Sequence, residues 1–383
     1  MGPQGIPRNR SIEGIRGLLA LIVFLTHSWV FFILPVVGGG TSTQRVLELA
    51  AVLAVTCFFV LSGYAISLSI GANRARHGAV FSLADYSLSR IFRIVPPLWL
   101  VLSITWGLDA ALGAVGALRI DVAGQPSEDF TFRPGEALLS LFSLATLGQL
   151  TGAVNGPLWT LEWEIRCYVF AGLIACIVAG SHLLKRVAAA AAVVAYAGAL
   201  GYADPLVLVP VAHVFVQFGL GAAVARVPPG AIGRKELLIC AIPLALLTAW
   251  VVGSSSGVLL EPGLRPVDLR LEMLVSLWFA GLLTAVSTAP SAGAWAGLGA
   301  CSYTLYILHF PLEQAARFAL LNWAPQSLSA PSRAWVTGLA VTAVTFGVCV
   351  AVGTWVERPA AQRVAARGVL QRISRRARRP SVE

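Results

Sequence analysis

The sequence predicts an all-α, polytopic integral membrane protein with about ten transmembrane helices and both termini in the cytoplasm. Three observations predict it. The 383 residues are 57% hydrophobic and only 12% charged, whereas soluble domains are roughly a quarter charged. Continuous apolar runs long enough to cross a bilayer as helices recur from end to end. The basic residues behind the net charge of +10 cluster between alternate runs. A membrane β-barrel is excluded, because its strands alternate apolar and polar residues.

The predicted spans are 14–36, 46–71, 94–118, 157–180, 188–203, 206–226, 236–252, 269–289, 300–323 and 333–356. The first follows a basic stretch as a signal peptide would, but it is too long and reads as a retained anchor. With the N-terminus inside, 19 of the 28 Lys and Arg residues fall in cytoplasmic segments, as the positive-inside rule demands. The predicted divisions are a cytoplasmic tail 1–13, a membrane domain 14–357 and a basic cytoplasmic tail 358–383. The basic tail reads as a topology determinant touching anionic lipid of the cytoplasmic (inner) membrane. Nothing nearby resembles a nucleic-acid domain, so no nucleic-acid partner is expected. Between spans 2 and 3, residues 85–93 mix apolar and basic side chains and read as an interfacial helix leading into span 3 at Pro96-Pro97. The stretch 119–156 is mostly extracytoplasmic, carries a semi-apolar piece at 137–150 and ends on the breaker Asn155-Gly156-Pro157. The cysteines (Cys57, Cys167, Cys176, Cys240, Cys301, Cys349) lie in or at the edges of spans with no CxxC pairing. Neither a disulfide nor a metal site is expected.

Arg16 and His27 stand eleven residues apart in the first span. Eleven helical steps make three turns plus about 20°, so both project from one face, about 16 Å apart along the axis. One face thus offers a cation near the membrane surface and an imidazole deep inside. That arrangement suits a long anionic carrier whose reactive end must reach a base. His27 has two readings, a general base or a helix–helix strut. Counted from the outer end of span 4, Glu164 comes out at a depth similar to His27, and a carboxylate beside an imidazole would orient it. Its alternatives are salt bridges to Arg166 or Arg16. Arg90 and Arg93 share a helix face at the mouth of span 3 and suit a phosphate-bearing ligand; ordinary positive-inside charge is the other reading. Ser302, Tyr306 and His309 form a polar face in span 9, lining either a channel or a helix interface. Ser62-Gly63 permits close helix approach or passage of an acyl chain beside the backbone. As nucleophiles, Ser62 and Cys57 are poorer candidates, because no base adjoins them in sequence.

Taken together, these motifs resemble the acyltransferase family 3 membrane proteins, bacterial O-acyltransferases that modify surface glycans, exopolysaccharides, peptidoglycan and macrolide antibiotics. The resemblance spans 12–359 and rests on six pieces in order. They are Ile12-Glu13-Gly14-Ile15-Arg16-Gly17 with His27; Phe58-Phe59-Val60-Leu61-Ser62-Gly63-Tyr64; Arg90 and Arg93 followed by Pro96; Leu158-Trp159-Thr160-Leu161 with Glu164 and Tyr168; Ser302-Tyr303 to His309-Phe310-Pro311; and Val356-Glu357-Arg358-Pro359. Two departures are present: Glu13 stands where the family usually has aspartate, and Ile165 where a second acidic residue is common. The resemblance implies a stand-alone form without a fused esterase-like domain. It also implies transfer of an acyl group, acetyl first among candidates, from acyl-CoA (acetyl-CoA) to a hydroxyl of a sugar or cell-surface glycan. The resemblance carries activity to Arg16 and His27, and with the reading of the residues above, the expected catalytic residues are His27, Glu164 and His309. Arg16, Arg90, Arg93, Ser62 and Gly63 would serve acyl-CoA, and Trp159, Tyr303, Tyr306 and Asn155 the acceptor, with no metal. Two rivals stand beside this expectation: an acyltransferase acting on a cytosolic small molecule such as a macrolide, and a transporter or flippase for a glycan or small molecule. The paired arginines favour an enzyme, because a phosphate-rich cytosolic cofactor needs them and a sugar carrier does not.

Overall fold

The computed structural model describes residues 10–38, 41–120, 128–132, 152–203, 208–231, 233–254, 269–286, 295–357 and 368–369. Its long helices are α1 (Arg10–Val37), α2 (Ser42–Arg76), α3 (Leu83–Ala114), α4 (Leu158–Ala179), α5 (Leu183–Ala203), α6 (Leu208–Val224), α7 (Arg234–Ser254) and α8 (Leu269–Val286). A short α9 (Ala296–Ala300) precedes α10 (Ser302–Trp323) and α11 (Pro331–Val356). Within α1, Trp29–Ile33 forms a π-helical turn immediately after His27 and Ser28. Two short strands, β1 (Arg119–Ile120) and β2 (Glu128–Asp129), pair antiparallel.

Among the described residues, the long helices fall on the predicted spans. Five of them (α1, α2, α3, α8 and α11) are long and apolar enough by length and composition to cross a membrane. The protein is therefore an all-α membrane protein. The predicted piece 137–150 and most of both tails lie outside the described residues.

The segment expected as an interfacial helix leading into span 3 is helical and runs into it as one rod, α3. The Ser82 side chain accepts a hydrogen bond from Asp85 N and starts the helix there. Asn73 fixes the approach: its Oδ1 accepts from Ser82 N at 2.9 Å, and its Nδ2 donates to Asp85 at 3.1 Å. Arg76 adds an ion pair to Asp85 at 2.8 Å. The rod then passes through Pro96 and Pro97, which membrane helices tolerate when neighbours satisfy the freed backbone groups. Tyr303 of α10 donates to the Ile94 carbonyl at 3.4 Å, just before the prolines. Arg90 and Arg93 therefore sit within this one helix, on the stretch before the prolines.

Small residues let helix backbones touch. A Cβ on Gly63 of α2 would overlap the Phe218 carbonyl of α6, and one on Gly221 of α6 would overlap the Val60 carbonyl of α2. Likewise, a Cβ on Gly299 of α9 would overlap the Glu13 carbonyl of α1. We expect Gly221→Val to force α2 and α6 apart at a cost of about 1–3 kcal/mol or more, lowering the unfolding midpoint of the detergent-solubilised protein. Gly219→Ala, where a Cβ meets open space, is the control. An unchanged midpoint for Gly221→Val would show that α2 and α6 are not held by this contact.

At the far end of α10, buried Arg317 makes a two-pronged ion pair with Glu128, at 2.7 and 3.0 Å. Phe130 packs edge-on against Phe318 with ring centroids 5.6 Å apart. The two contacts hold the small hairpin onto α10. A separate buried polar cluster lies between α6 and α8: Gln217 donates to Glu272 Oε2 at 3.2 Å, and His213 Nε2 lies 3.6 Å from the same oxygen.

Candidate functional site

A cavity of about 100 Å³ opens among α1, α2, α3, α4 and α10. Arg16, Ser62, Arg93, Glu164, Tyr303 and Tyr306, all expected site residues, line it together with Tyr168 and Thr160. Phe58, Phe59 and Val55 supply its apolar wall. Two guanidiniums (Arg16 and Arg93), two carboxylates (Glu13 and Glu164) and several hydroxyls thus converge on one largely apolar pocket, as ligand sites commonly do.

Each polar group is held by a neighbouring helix. Arg16 Nε donates to Ser302 Oγ at 2.9 Å and its Nη2 to the Gly299 carbonyl at 2.6 Å, across the break between α9 and α10. Glu357, from the last motif, accepts from Thr304 N at 2.6 Å and caps α10. Glu164 Oε1 accepts from Ser62 Oγ at 2.5 Å and also from the Tyr168 hydroxyl. The Tyr306 and Thr160 hydroxyls share a hydrogen bond of 2.8 Å.

The two arginines expected to act as a pair are divided. Arg93 lines the cavity. Arg90 donates to Ser69 Oγ at 3.0 Å, and its guanidinium lies 5.8 and 5.9 Å from the ring centres of Tyr86 and Tyr168. Arg90 therefore packs behind Tyr168.

His27 also has a different neighbour from the one expected. Its hydrogen bonds go to the Val23 carbonyl at 2.9 Å and to His309 Nε2 at 3.2 Å, both through Nδ1. Glu164 instead bonds Ser62 and Tyr168. Similar depth did not make His27 and Glu164 neighbours, because depth says nothing about which way a helix face points. The geometry fixes the tautomers of the neutral histidine pair. His309 Nδ1 lies 2.9 Å from the Leu305 carbonyl and must donate to it, which leaves His309 Nε2 as an acceptor. His27 Nδ1 then carries the proton that faces Val23 and His309. The remaining nitrogen, His27 Nε2, is left with a lone pair, as a general base requires.

Aromatic rings enclose the pair. Phe310 stands edge-on to His27 at 5.2 Å, and Phe24 edge-on to His309 at 5.7 Å. Tyr306, which lines the cavity, has its ring centre 6.3 Å from that of His309. His309 thus stands behind the Tyr306 wall with His27 beyond it, and neither expected catalytic histidine is among the lining residues. Trp159, Asn155 and Gly63 are not among the lining residues. Trp159 packs against the core, Asn155 Nδ2 donates to the Ile307 carbonyl at 2.9 Å, and Gly63 faces α6.

Sequence reasoning missed Glu313. It is fully buried, four residues beyond His309, and is hydrogen-bonded to Ser28, the neighbour of His27. A signal existed. Ser302, Tyr306, His309, Glu313 and Arg317 recur at spacings of four, three, four and four along α10, which is one continuous helix face. Tyr168 was read as part of a motif, but its link to Glu164 was not. Among the described residues, no group of His, Cys, Asp and Glu could hold a metal ion.

A family model described as an acyltransferase domain, Acyl_transf_3, matches residues 9–354. That range takes in every residue of the site except Glu357. Searches of curated proteins and of solved structures returned no match.

Proposed function

Because the chain belongs to this membrane acyltransferase family, we propose that it moves an acyl group, by preference acetyl, from acyl-CoA to a hydroxyl of a sugar or cell-surface glycan. The observation that carries this reading is one pocket lined by two guanidiniums and backed, behind Tyr306, by the hydrogen-bonded pair of His309 and His27. Arg93 and Arg16 take the CoA phosphates on the cytoplasmic side of the cytoplasmic membrane. The pantetheine arm follows the α1 face from Arg16 toward His27, about 16 Å along the axis. His27 Nε2 takes the proton of the acceptor hydroxyl as its oxygen attacks the acyl carbon. His309 Nε2, accepting from His27 Nδ1–H, stabilises the imidazolium that forms and holds the ring in orientation.

The test is acetyl-CoA turnover by the purified protein in nanodiscs, followed as free CoA thiol. Slow release without any acceptor is expected, by leakage of the acyl group to water, and His27→Ala should lower its steady rate by about 10²–10⁴-fold. Absence of both CoA binding and turnover would overturn the donor assignment and favour a transporter.

A further inference from the structure

Ser62 lacks a base nearby in sequence, but α4 supplies one across the helix interface. Its Oγ lies 2.5 Å from Glu164 Oε1, in the short range of a hydroxyl donating to a carboxylate. Both side chains line the cavity that also holds Arg16 and Arg93. Tyr168 donates to the same carboxylate oxygen, but its ring is buried beneath the Arg90 guanidinium, which suits a fixed donor rather than a mobile nucleophile. The other cavity hydroxyls are committed elsewhere: Ser302 to the Gly299 carbonyl, Tyr303 to Ile94 and Tyr306 to Thr160. A hydroxyl beside a base, in a pocket with cations that can face a leaving thiolate, is the arrangement of an activated nucleophile.

We infer that Ser62 carries the acyl group between donor and acceptor, as a Ser62 ester, with Glu164 as its base. This rests on the acyl-CoA reading above. In the first half, Ser62 Oγ attacks the thioester carbon and its proton moves to Glu164. The carbon–sulfur bond breaks, and CoA leaves as a thiolate facing Arg93. In the second half, the acceptor oxygen attacks the Ser62 ester and its proton goes to His27 Nε2. The Ser62–acyl bond breaks, and the proton on Glu164 returns to Ser62 Oγ. Summed, thioester and hydroxyl give ester, CoA thiolate and one proton on His27, which the thiolate or solvent collects.

The experiment is a single turnover of the full chain in nanodiscs with acetyl-labelled acetyl-CoA and no acceptor. It is quenched in acid, with protein-bound label counted and mapped by mass spectrometry. Label on the Ser62 peptide, released by hydroxylamine, is expected in wild type. His27→Ala should keep the label, because its loss affects the second half. Ser62→Ala should carry none, and Glu164→Gln should load at least about 10²-fold more slowly, the usual contribution of a general base. Ser62→Cys keeps a nucleophile of similar size and should take label as a thioester, which separates lost chemistry from lost folding. CoA release by wild type with no bound label, or label on Tyr168 or His27, would overturn the Ser62 assignment and leave the acyl-CoA reading standing. Absence of CoA binding and release would overturn both.

Discussion

His27→Ala should lower acetyl-CoA turnover by about 10²–10⁴-fold, the range a positioned general base contributes. The size of the loss follows from the hydrogen-bond arrangement. His27 is the member of the pair left with an unshared ring nitrogen, because its own Nδ1 is turned toward Val23 and His309. His309 has no such freedom, since Nδ1 faces the Leu305 carbonyl and Nε2 faces His27. His309→Gln, whose amide oxygen can still accept from His27, should therefore cost less than His27→Ala. Both variants keep α1 and α10 apolar outside the pair, so circular dichroism of the solubilised protein should match wild type. A His27→Ala protein turning over at the wild-type rate would remove His27 from the chemistry. Equal losses for the two variants would mean that the pair acts as a single unit.

Arg93→Ala should weaken acetyl-CoA binding by about 10–100-fold, from the loss of charge-assisted hydrogen bonds worth about 1.5–3 kcal/mol, with a smaller effect on kcat. Arg90→Ala should behave differently. It removes the bond to Ser69 and the cation packed over Tyr86 and Tyr168, so its main effect should be a lower unfolding midpoint. Arg93→Lys should recover part of the binding, because it keeps the charge but loses the two-pronged geometry. The contrast is measured by calorimetric titration with CoA and by thermal unfolding of each variant. If Arg90→Ala alone abolished CoA binding while Arg93→Ala bound normally, the cavity would not be the phosphate site.

The sequence displayed the helices well because their signal is local. Twenty apolar residues in water-free surroundings have few options but a helix, and each predicted span has one. It displayed many site residues because charge and polarity inside such runs are costly and therefore conspicuous. Arg16, Ser62, Arg93, Glu164, Tyr303 and Tyr306 do share one cavity. What stayed hidden is pairing across helices. Counting residues from a span's end gives depth, but the direction each face points depends on neighbours remote in sequence. Hence His27 meets His309 across 282 residues, and Ser62 meets Glu164 across 102. That the interfacial helix and span 3 form one rod was not legible for another reason. The prolines gave a strong local signal, and a side-chain clamp built from Asn73, Ser82 and Asp85 outweighed it.

The π-helical turn at Trp29–Ile33 divides the first helix into two phases. Each residue of an α-helix advances about 100°, and the wider turn delays that advance for everything beyond Ser28. Deleting one residue within 29–33 would restore ordinary winding, and the lost residue offsets the lost delay, so the outer end would keep its face to within a small angle. The helix beyond the turn would still face α11, where Phe32 now meets Gly338, and Arg16 and His27 would stay in step. The same deletion anywhere between 17 and 26 would rotate His27 away from Arg16 and from His309. Changes in chain length are therefore absorbed on one side of this turn and destructive on the other, which marks the eleven-residue interval as the fixed ruler of the molecule.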